Sequence, residues 1–242
     1  MTEHILASCA KLGKEITREQ AEKLTAFHAI LTKANKTLNL TRVADEVIES
    51  ADRNYIDSLM PYLITDWLDD ATNLLDVGSG AGFPGIPLSI VLPHVQITLL
   101  DSLAKRVDFL NGAIKELGLN ARAVHMRAEE AARQPGLREV FDIVTARAVA
   151  ALPTLCELCL PFVRVGGVFI DYHGPKADIE IPQAAKAIKL LGGSTASQIK
   201  CIFPERDWDH RLIRIEKKQH TPKSYPRKPG DPARKPLGVS AE

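Results

Sequence analysis

Asp76-Val77-Gly78-Ser79-Gly80-Ala81-Gly82-Phe83-Pro84-Gly85 is the stretch that decides the fold of this 242-residue chain. Asn73 to Val77 reads as a short apolar strand, and Phe83 to Leu92 as a helix opened by Pro84 near its first turn. A strand that enters a helix through Gly78, Gly80 and Gly82 makes a tight turn whose backbone can approach a ligand closely. In an open α/β sheet, that ligand sits at the carboxyl ends of the strands. The spacing is Gly-x-Gly-x-Gly rather than Gly-x-Gly-x-x-Gly, and Asp76 stands two residues before the first glycine. A carboxylate there suits the ammonium of an amino-acid-bearing cofactor and repels a pyrophosphate. A nicotinamide enzyme is therefore the weakest reading of this loop.

Working outward, the segments alternate. Val95 to Leu100 is a second strand ending at Asp101, and Ala104 to Leu117 a helix closed by Gly118. A strand around Ala123 to Met126 precedes the loop Arg127-Ala128-Glu129. Phe141 to Thr145 is a strand, Pro153 to Phe162 a helix, and Val165 to Tyr172 a strand after a Gly166-Gly167 turn. Such alternation implies parallel βαβ units and a sheet covered on both faces. Ser197 to Phe203 and Arg211 to Lys217 read as an antiparallel edge pair joined by a loop containing Trp208. Upstream, Thr17-Arg18-Glu19-Gln20 has capping-box form and opens a helix carrying Leu24, Phe27, Ile30 and Leu31. A second helix is expected from about Asp45 to Leu63, its last turn disturbed by Pro61. The parts then read as an N-terminal helical extension (1–70), an α/β domain (71–218) and a tail (219–242).

The bulk properties narrow the partners. Apolar residues make up 45% and charged residues 25%, ordinary values for a soluble globular protein. No apolar run reaches the roughly 20 residues of a membrane helix. The first ten residues have neither a basic nor a sustained apolar region, so a secretory signal is not expected. Four scattered cysteines make no disulfide framework, and a reducing cytoplasm is the expected compartment. Cys156-Glu157-Leu158-Cys159 lacks a partner pair and falls in a helix, so it reads as core packing and no metal is expected. Net charge is +1, but residues 221–237 carry +4 through Lys223, Arg227, Lys228, Arg234 and Lys235 against Asp231. That strip reads either as a phosphate-contacting patch or as a solvated tail. Its five prolines imply an extended segment without helix.

Asp101, 19 residues beyond Gly82, is placed to accept hydrogen bonds from both ribose hydroxyls of a nucleoside, or is a plain strand-end acid. Ser102 and Leu103 would lie beside the same ligand. Ala128 and Glu129 stand where a loop brackets an adenine, although Glu129 also reads as a helix-start acid. Arg147, at the end of the fourth strand, is suited to a carboxylate, a phosphate or guanine O6, or to a salt bridge with Asp142 or Glu129. Arg53 and Asp57, at i and i+4, either pair on their helix or line an entrance.

Asp-Val-Gly-Ser-Gly-Ala-Gly-Phe-Pro-Gly-Ile-Pro (76–87), Leu-Leu-Asp-Ser-x-x-Lys-Arg (99–106) and Ala-Arg-Ala-Val-Ala (146–150) resemble the RsmG family, also called GidB. So do Asn39-Leu40-Thr41, Arg53-x-x-x-Asp57-Ser58-Leu59 and the tail Thr221-Pro222-x-x-Tyr225-Pro226-Arg227. The resemblance runs from about residue 35 to 237. It implies a class I S-adenosylmethionine-dependent methyltransferase fold, Rossmann-like, with a seven-stranded, mostly parallel sheet and the N-terminal extension. It also implies methyl transfer to N7 of one guanine of 16S ribosomal RNA, naked or in the small subunit, by a monomer. S-adenosyl-L-methionine contacts would fall at Asp76, Gly78, Gly80, Phe83, Asp101, Ser102, Leu103, Ala128, Glu129 and Arg147. RNA contacts would fall at Asn39, Arg53, Asp57, His173, Lys176, Arg227 and Lys228. Where the family usually has lysine, this chain has His173, whose charge depends on pH.

Guanine N7 has a lone pair and no proton, so methylation there needs no general base. The sequence agrees: the fourth strand is followed by neither a Pro-Pro-aromatic motif for exocyclic amines nor a Pro-Cys for pyrimidine attack. Arg147 is the candidate catalytic residue. Two other readings stand beside this one: a same-fold transferase acting on a small molecule or protein, and an RNA-binding module that holds cofactor without turnover.

Overall fold

The computed structural model describes residues 1–41 and 46–239. Strands β1 (Asn73–Val77), β2 (Gln96–Asp101), β3 (Ala121–His125), β4 (Phe141–Arg147), β5 (Val163–His173), β6 (Ser197–Phe203) and β7 (Arg206–Glu216) form one sheet of order β3-β2-β1-β4-β5-β7-β6. The first five are parallel, and β7 runs antiparallel to both neighbours. Strand order reverses between β1 and β4, and such a switch point opens a crevice at the carboxyl ends.

Helices cover both faces: α1 (Thr2–Lys11), α2 (Arg18–Leu38), α3 (Val47–Ser50), α4 (Asp57–Ile64), α5 (Gly85–Val91), α6 (Ala104–Leu117), α7 (Ala128–Ala131), α8 (Leu152–Cys159), α9 (Ala177–Leu190) and α10 (Asp231–Arg234). Side chains alternate along each strand. Leu74, Ile97, Ile143 and Ile170 therefore join Ile5, Leu24, Phe27 and Leu59 of the N-terminal helices in one cluster. Leu75, Val144 and Phe169 join Leu155, Phe162 and Ile188 in another. Because both faces are buried, these strands read as continuous apolar runs. The N-terminal helices share the sheet's core rather than forming their own.

The capping box opens α2 as the sequence predicts: Thr17 Oγ1 accepts the Gln20 amide at 3.1 Å and Gln20 Oε1 accepts the Thr17 amide at 2.8 Å. Gly118 ends α6 in the left-handed region at φ +63°. Pro61 does lie inside α4, and the Thr65 hydroxyl takes up its carbonyl at 2.6 Å. Asp45, the expected start of the second helix, lies outside the described residues.

Several expectations are corrected. Gly166-Gly167 is not a turn before β5 but a bulge inside it, where pairing slips between Phe141–Val163 and Ile143–Val168. A Cβ on Gly167 would stand 2.6 Å from the Asp142 carbonyl, so only glycine lets the strands approach. Trp208 belongs to β7, and the hairpin turn is shorter, at residues 204–205. The N-terminal α1 and the α9 helix were not read from the pattern; Pro182 inside α9 breaks its helical signal. The tail contains one helical turn, α10, because Pro232 sits near its start, where a missing N–H costs nothing.

Between α3 and α4, Ala51–Ile56 is a π-helical stretch, with the Asp57 amide donating to the Asp52 carbonyl. The wider turn rotates residue i+4 away from residue i, so Arg53 and Asp57 do not pair. Arg53 Nε donates instead to Glu49 Oε1 at 2.6 Å, and Asp57 turns inward.

At the amino ends of the strands, Asp142 Oδ2 accepts the Thr72 amide (2.8 Å), the Thr72 hydroxyl (2.7 Å) and the Asn73 amide (3.2 Å). Its Oδ1 accepts Arg164 Nε at 2.6 Å. Burial pushes this carboxyl up, but the four hydrogen bonds outweigh burial and hold it at about 2. A carboxyl held low in the folded chain stabilises it above the unfolded pKa of about 4, and that stabilisation is lost as pH falls toward 2. Asp142→Asn is expected to cost about 2 kcal/mol at pH 7. Urea midpoints of variant and parent should converge between pH 4 and pH 2; a constant gap across that window would reject this role.

Candidate functional site

The glycine loop is held from behind by a sealed carboxylate. Asp76 is fully buried; its Oδ1 accepts the Thr145 hydroxyl of β4 at 3.1 Å and its Oδ2 accepts the Gly85 amide at 3.2 Å. Burial pushes its carboxyl up to about 6, and the hydrogen bonds only partly oppose this. Its oxygens are spent on bracing β1, β4 and α5. The expectation that Asp76 meets a ligand ammonium is corrected: its carboxyl faces the loop and is not part of the cleft wall.

In front of the loop, a cleft of about 360 Å³ opens at the switch point. Its volume lies within the range of small-molecule sites. Gly78, Asp101, Ser102, Ala128 and Glu129 line it, as the sequence expects. Gly78 has φ +74°, and a Cβ there would stand 2.7 Å from a methyl of Val149, so both backbone and space call for glycine. Asp101 ends β2 with Oδ2 accepting the Gly80 amide and Oδ1 the Leu103 amide, each at 2.9 Å. Gly80 and Leu103 thus orient the carboxylate without forming the wall. Arg106 Nη1 reaches Asp101 at 3.3 Å and lines the cleft beside it. A donor-rich diol fits such an acceptor, and Arg106 is the counter-charge that a ligand would meet there.

The third glycine has a different task. A Cβ on Gly82 would approach Phe27 at 3.1 Å and Ile86 at 2.8 Å. Phe27 packs on Phe83 with centroids 5.7 Å apart, and Tyr55 meets Phe83 edge-on at 5.3 Å. Phe83 is therefore the joint between the helical extension and the loop, behind the cleft rather than in its wall.

Arg147 lies at this joint. Its Nη1 donates to Asp57 Oδ2 at 2.8 Å and to the Arg53 carbonyl at 3.1 Å, and its guanidinium lies 5.2 Å from the Phe83 centroid. A salt bridge exists, but with Asp57, not with Asp142 or Glu129, which are engaged elsewhere. Asp57 is buried and also bonds His210 at 2.9 Å, so it positions Arg147 and is not placed to touch RNA.

The other expected RNA contacts divide. Asn39 caps α2 in the left-handed region and is exposed; Lys176 and Lys228 are exposed. Arg53 is exposed and lies over Trp208 at 4.7 Å. His173 is turned inward: Nδ1 meets Asp171 at 2.7 Å and Nε2 lies 3.7 Å from Glu180. Burial works against the charged ring, but the two carboxylates outweigh it and raise its pKa. His173 is held by two carboxylates within the fold, which corrects its expected RNA contact.

Arg227 is likewise held. Its Nε and Nη2 grip the fully buried Glu157 at 3.0 and 2.6 Å, and its amide donates to the same carboxylate at 2.7 Å. The tail's cationic strip is thus part packed structure and part exposed surface. Cys156 and Cys159 are free and fully buried in α8. Cleft residues that the sequence pattern did not single out are Met126, Thr154, Leu158, Gly230, Pro232 and Ala233. Their apolar or small character carries no chemical signature. Arg106 ends the Leu-Leu-Asp-Ser-x-x-Lys-Arg motif, and its place in the first turn of α6, five residues after Asp101, is the signal that points to it.

The family model described as "GidB: rRNA small subunit methyltransferase G" matches residues 20–207. The chain belongs to this family. Members similar to it include the ribosomal RNA small subunit methyltransferase G of Alkaliphilus metalliredigens, 44% identical over 95% of both chains. That of Lactobacillus johnsonii is 42% identical over 94% of this chain and 96% of its own. Among solved structures, an O-methyltransferase from Bacillus cereus in complex with SAH superposes with a TM-score of 0.55 at 18% identity, over 90% of this chain and 100% of its own. Cofactor-bound Rv0187 from MTB gives 0.56 at 17%, over 82% and 91%. These place the family member in the seven-stranded methyltransferase fold.

Removing the tail's anchor should be costly. Arg227→Ala leaves the Glu157 carboxylate buried without its counter-charge and is expected to destabilise the chain by roughly 3 kcal/mol. Arg227→Lys should recover only part, because a point charge cannot replace the fork. Thermal unfolding checks both; an unchanged midpoint for Arg227→Ala would make the pair a surface decoration.

Proposed function

We propose that this chain transfers a methyl group from S-adenosyl-L-methionine to N7 of one guanine in 16S ribosomal RNA. Its family membership supports this, and the feature of the site that carries it is the Asp101 carboxylate, fixed by the Gly80 and Leu103 amides at the switch-point cleft. Asp101 would accept both ribose hydroxyls, the Gly78 backbone would run beside the ligand, and Ala128 and Glu129 would bracket its adenine. When bound, the cofactor supplies an electrophilic methyl group.

The residues of the chain then have to orient and desolvate, not to move protons. N7 presents a lone pair, so in-line placement and exclusion of water account for much of the acceleration. Arg147, at the Phe83 joint outside the cleft wall, is the candidate to meet the target base. Its hydrogen bonds within the described residues run through Nη1, leaving Nε and Nη2 for a guanine O6 or a phosphate. Asp57 and Phe83 set its plane. The helical extension (1–70) and tail (219–242) flank the α/β domain (71–218); exposed Asn39, Arg53, Lys176 and Lys228 would meet RNA backbone, on a subunit or on naked RNA.

Incubation with tritiated S-adenosylmethionine and small ribosomal subunits tests this reading. Subunits from cells lacking the gene should take up label, at one guanine, and subunits from unaltered cells should not. Equal labelling of both would overturn the RNA assignment. Asp101→Ala should weaken S-adenosylhomocysteine binding at least tenfold by calorimetry. The single-turnover rate should be flat above neutral pH, since no base must be unprotonated; a steep rise between pH 7 and pH 9 would require one.

A further inference from the structure

One wall of the cleft comes from outside the α/β domain. Gly230, Pro232 and Ala233, at and within the single turn α10, line it together with Asp101 and Met126. Residues 217–232 are tied down at successive points. The buried Lys217 ammonium donates to the Leu160 carbonyl and the Thr221 hydroxyl, each at 2.6 Å. Arg138 donates to the carbonyls of Thr221 and Tyr225, each at 2.9 Å, and Arg133 to that of Pro226 at 2.5 Å. Arg227 locks on Glu157. The last two ties reach the cleft itself: the Gly230 amide donates to Glu129 Oε1 at 2.9 Å, and the Thr154 hydroxyl to the Pro232 carbonyl at 3.2 Å.

These anchors give α10 a fixed position that its four residues would not hold alone. Among the polar members of the cleft, Asp101 and Ser102 come from the end of β2 and the loop after it, and Arg106 from the first turn of α6. Among its apolar members, Met126 and Ala128 come from the end of the loop after β3 and the start of α7, Leu158 from α8, and Pro232 and Ala233 from the tail. A polar acceptor beside an apolar slot matches a ribose joined to a flat heteroaromatic base. Glu129 belongs to both parts, because the carboxylate that faces the cleft also receives the tail's amide.

We propose that the tail segment 230–233 is a cofactor-recognition element, with Pro232 and Ala233 forming the outer wall of the slot for the adenine end of S-adenosylmethionine. This rests on the cofactor reading above. It gives the C-terminal segment a task at the small ligand, distinct from any contact its exposed lysines make with RNA.

Calorimetry on the full chain with S-adenosylhomocysteine and with 5′-methylthioadenosine, which lacks the amino-acid end, tests it. Ala233 is exposed on α10, so Ala233→Trp extends into the slot without displacing core. The variant is expected to lose tenfold or more in affinity for both ligands by a similar factor, with an unchanged thermal midpoint. Lys223→Ala, in the same tail but outside the cleft, should leave both affinities unchanged. Truncation after Lys218 should abolish binding; if that chain fails to fold, Ala233→Trp decides alone. Parental affinities in Ala233→Trp would overturn the proposal, and a loss for S-adenosylhomocysteine alone would overturn the adenine assignment. A parent chain that binds neither ligand would overturn the cofactor reading, and the proposal with it.

Discussion

The buried carboxylate of Asp76 is the point on which the arrangement turns. It stands on β1 at the switch in strand order and joins β4 through Thr145 and the start of α5 through Gly85. A charged or polar group sealed in a core is costly unless it is hydrogen-bonded. Here the cost is offset by partners on two other elements, which thereby acquire one relative position. The glycine loop in front inherits its shape from that, and so does the orientation of the Asp101 carboxylate, which the Gly80 amide fixes.

From this point the two faces of the sheet diverge. One is covered by the N-terminal helices, which reach the loop through Phe27, Tyr55 and Phe83 and end against Arg147 through Asp57. The other is covered by α8, α9 and the tail, and the tail reaches the cleft through Glu129 of α7 and Thr154 of α8. The extension and tail at the chain's ends thus approach the two sides of a single crevice. The ion pairs at each side differ in burial: Arg147 and Asp57 sit at a partly open joint, whereas Glu157 has no exposed surface at all.

The sheet was legible because its strands are short, apolar and bounded by glycine or acid. Capping at Thr17 and Gly118 marked helix ends through specific backbone needs. Gly78 and Asp101 were legible as site residues because their positions at strand ends follow from topology. Asp76 was misread, since an acid beside a glycine loop looks the same in sequence whether it faces the ligand or the core. The expected pairing of Arg53 with Asp57 fails because a π-helical turn breaks the i, i+4 rule without any sign in composition. His173 and Arg227 lost their expected RNA contacts to Asp171, Glu180 and Glu157, acids distant from or unremarked beside them in the sequence. The tail wall had no signature beyond prolines, which announce only what a segment is not.

The position of α10 also bears on the order in which the molecule becomes competent. Residues 230–233 follow in the chain every strand and every buried residue of both hydrophobic clusters, so the last wall of the cleft is synthesised after them. A chain stopped before residue 230 contains all seven strands but lacks one side of the crevice. The enclosed cleft is thereby tied to translation of the segment from Arg227 to Ala233, and a product that stops short of it has every strand in its sequence but no such wall.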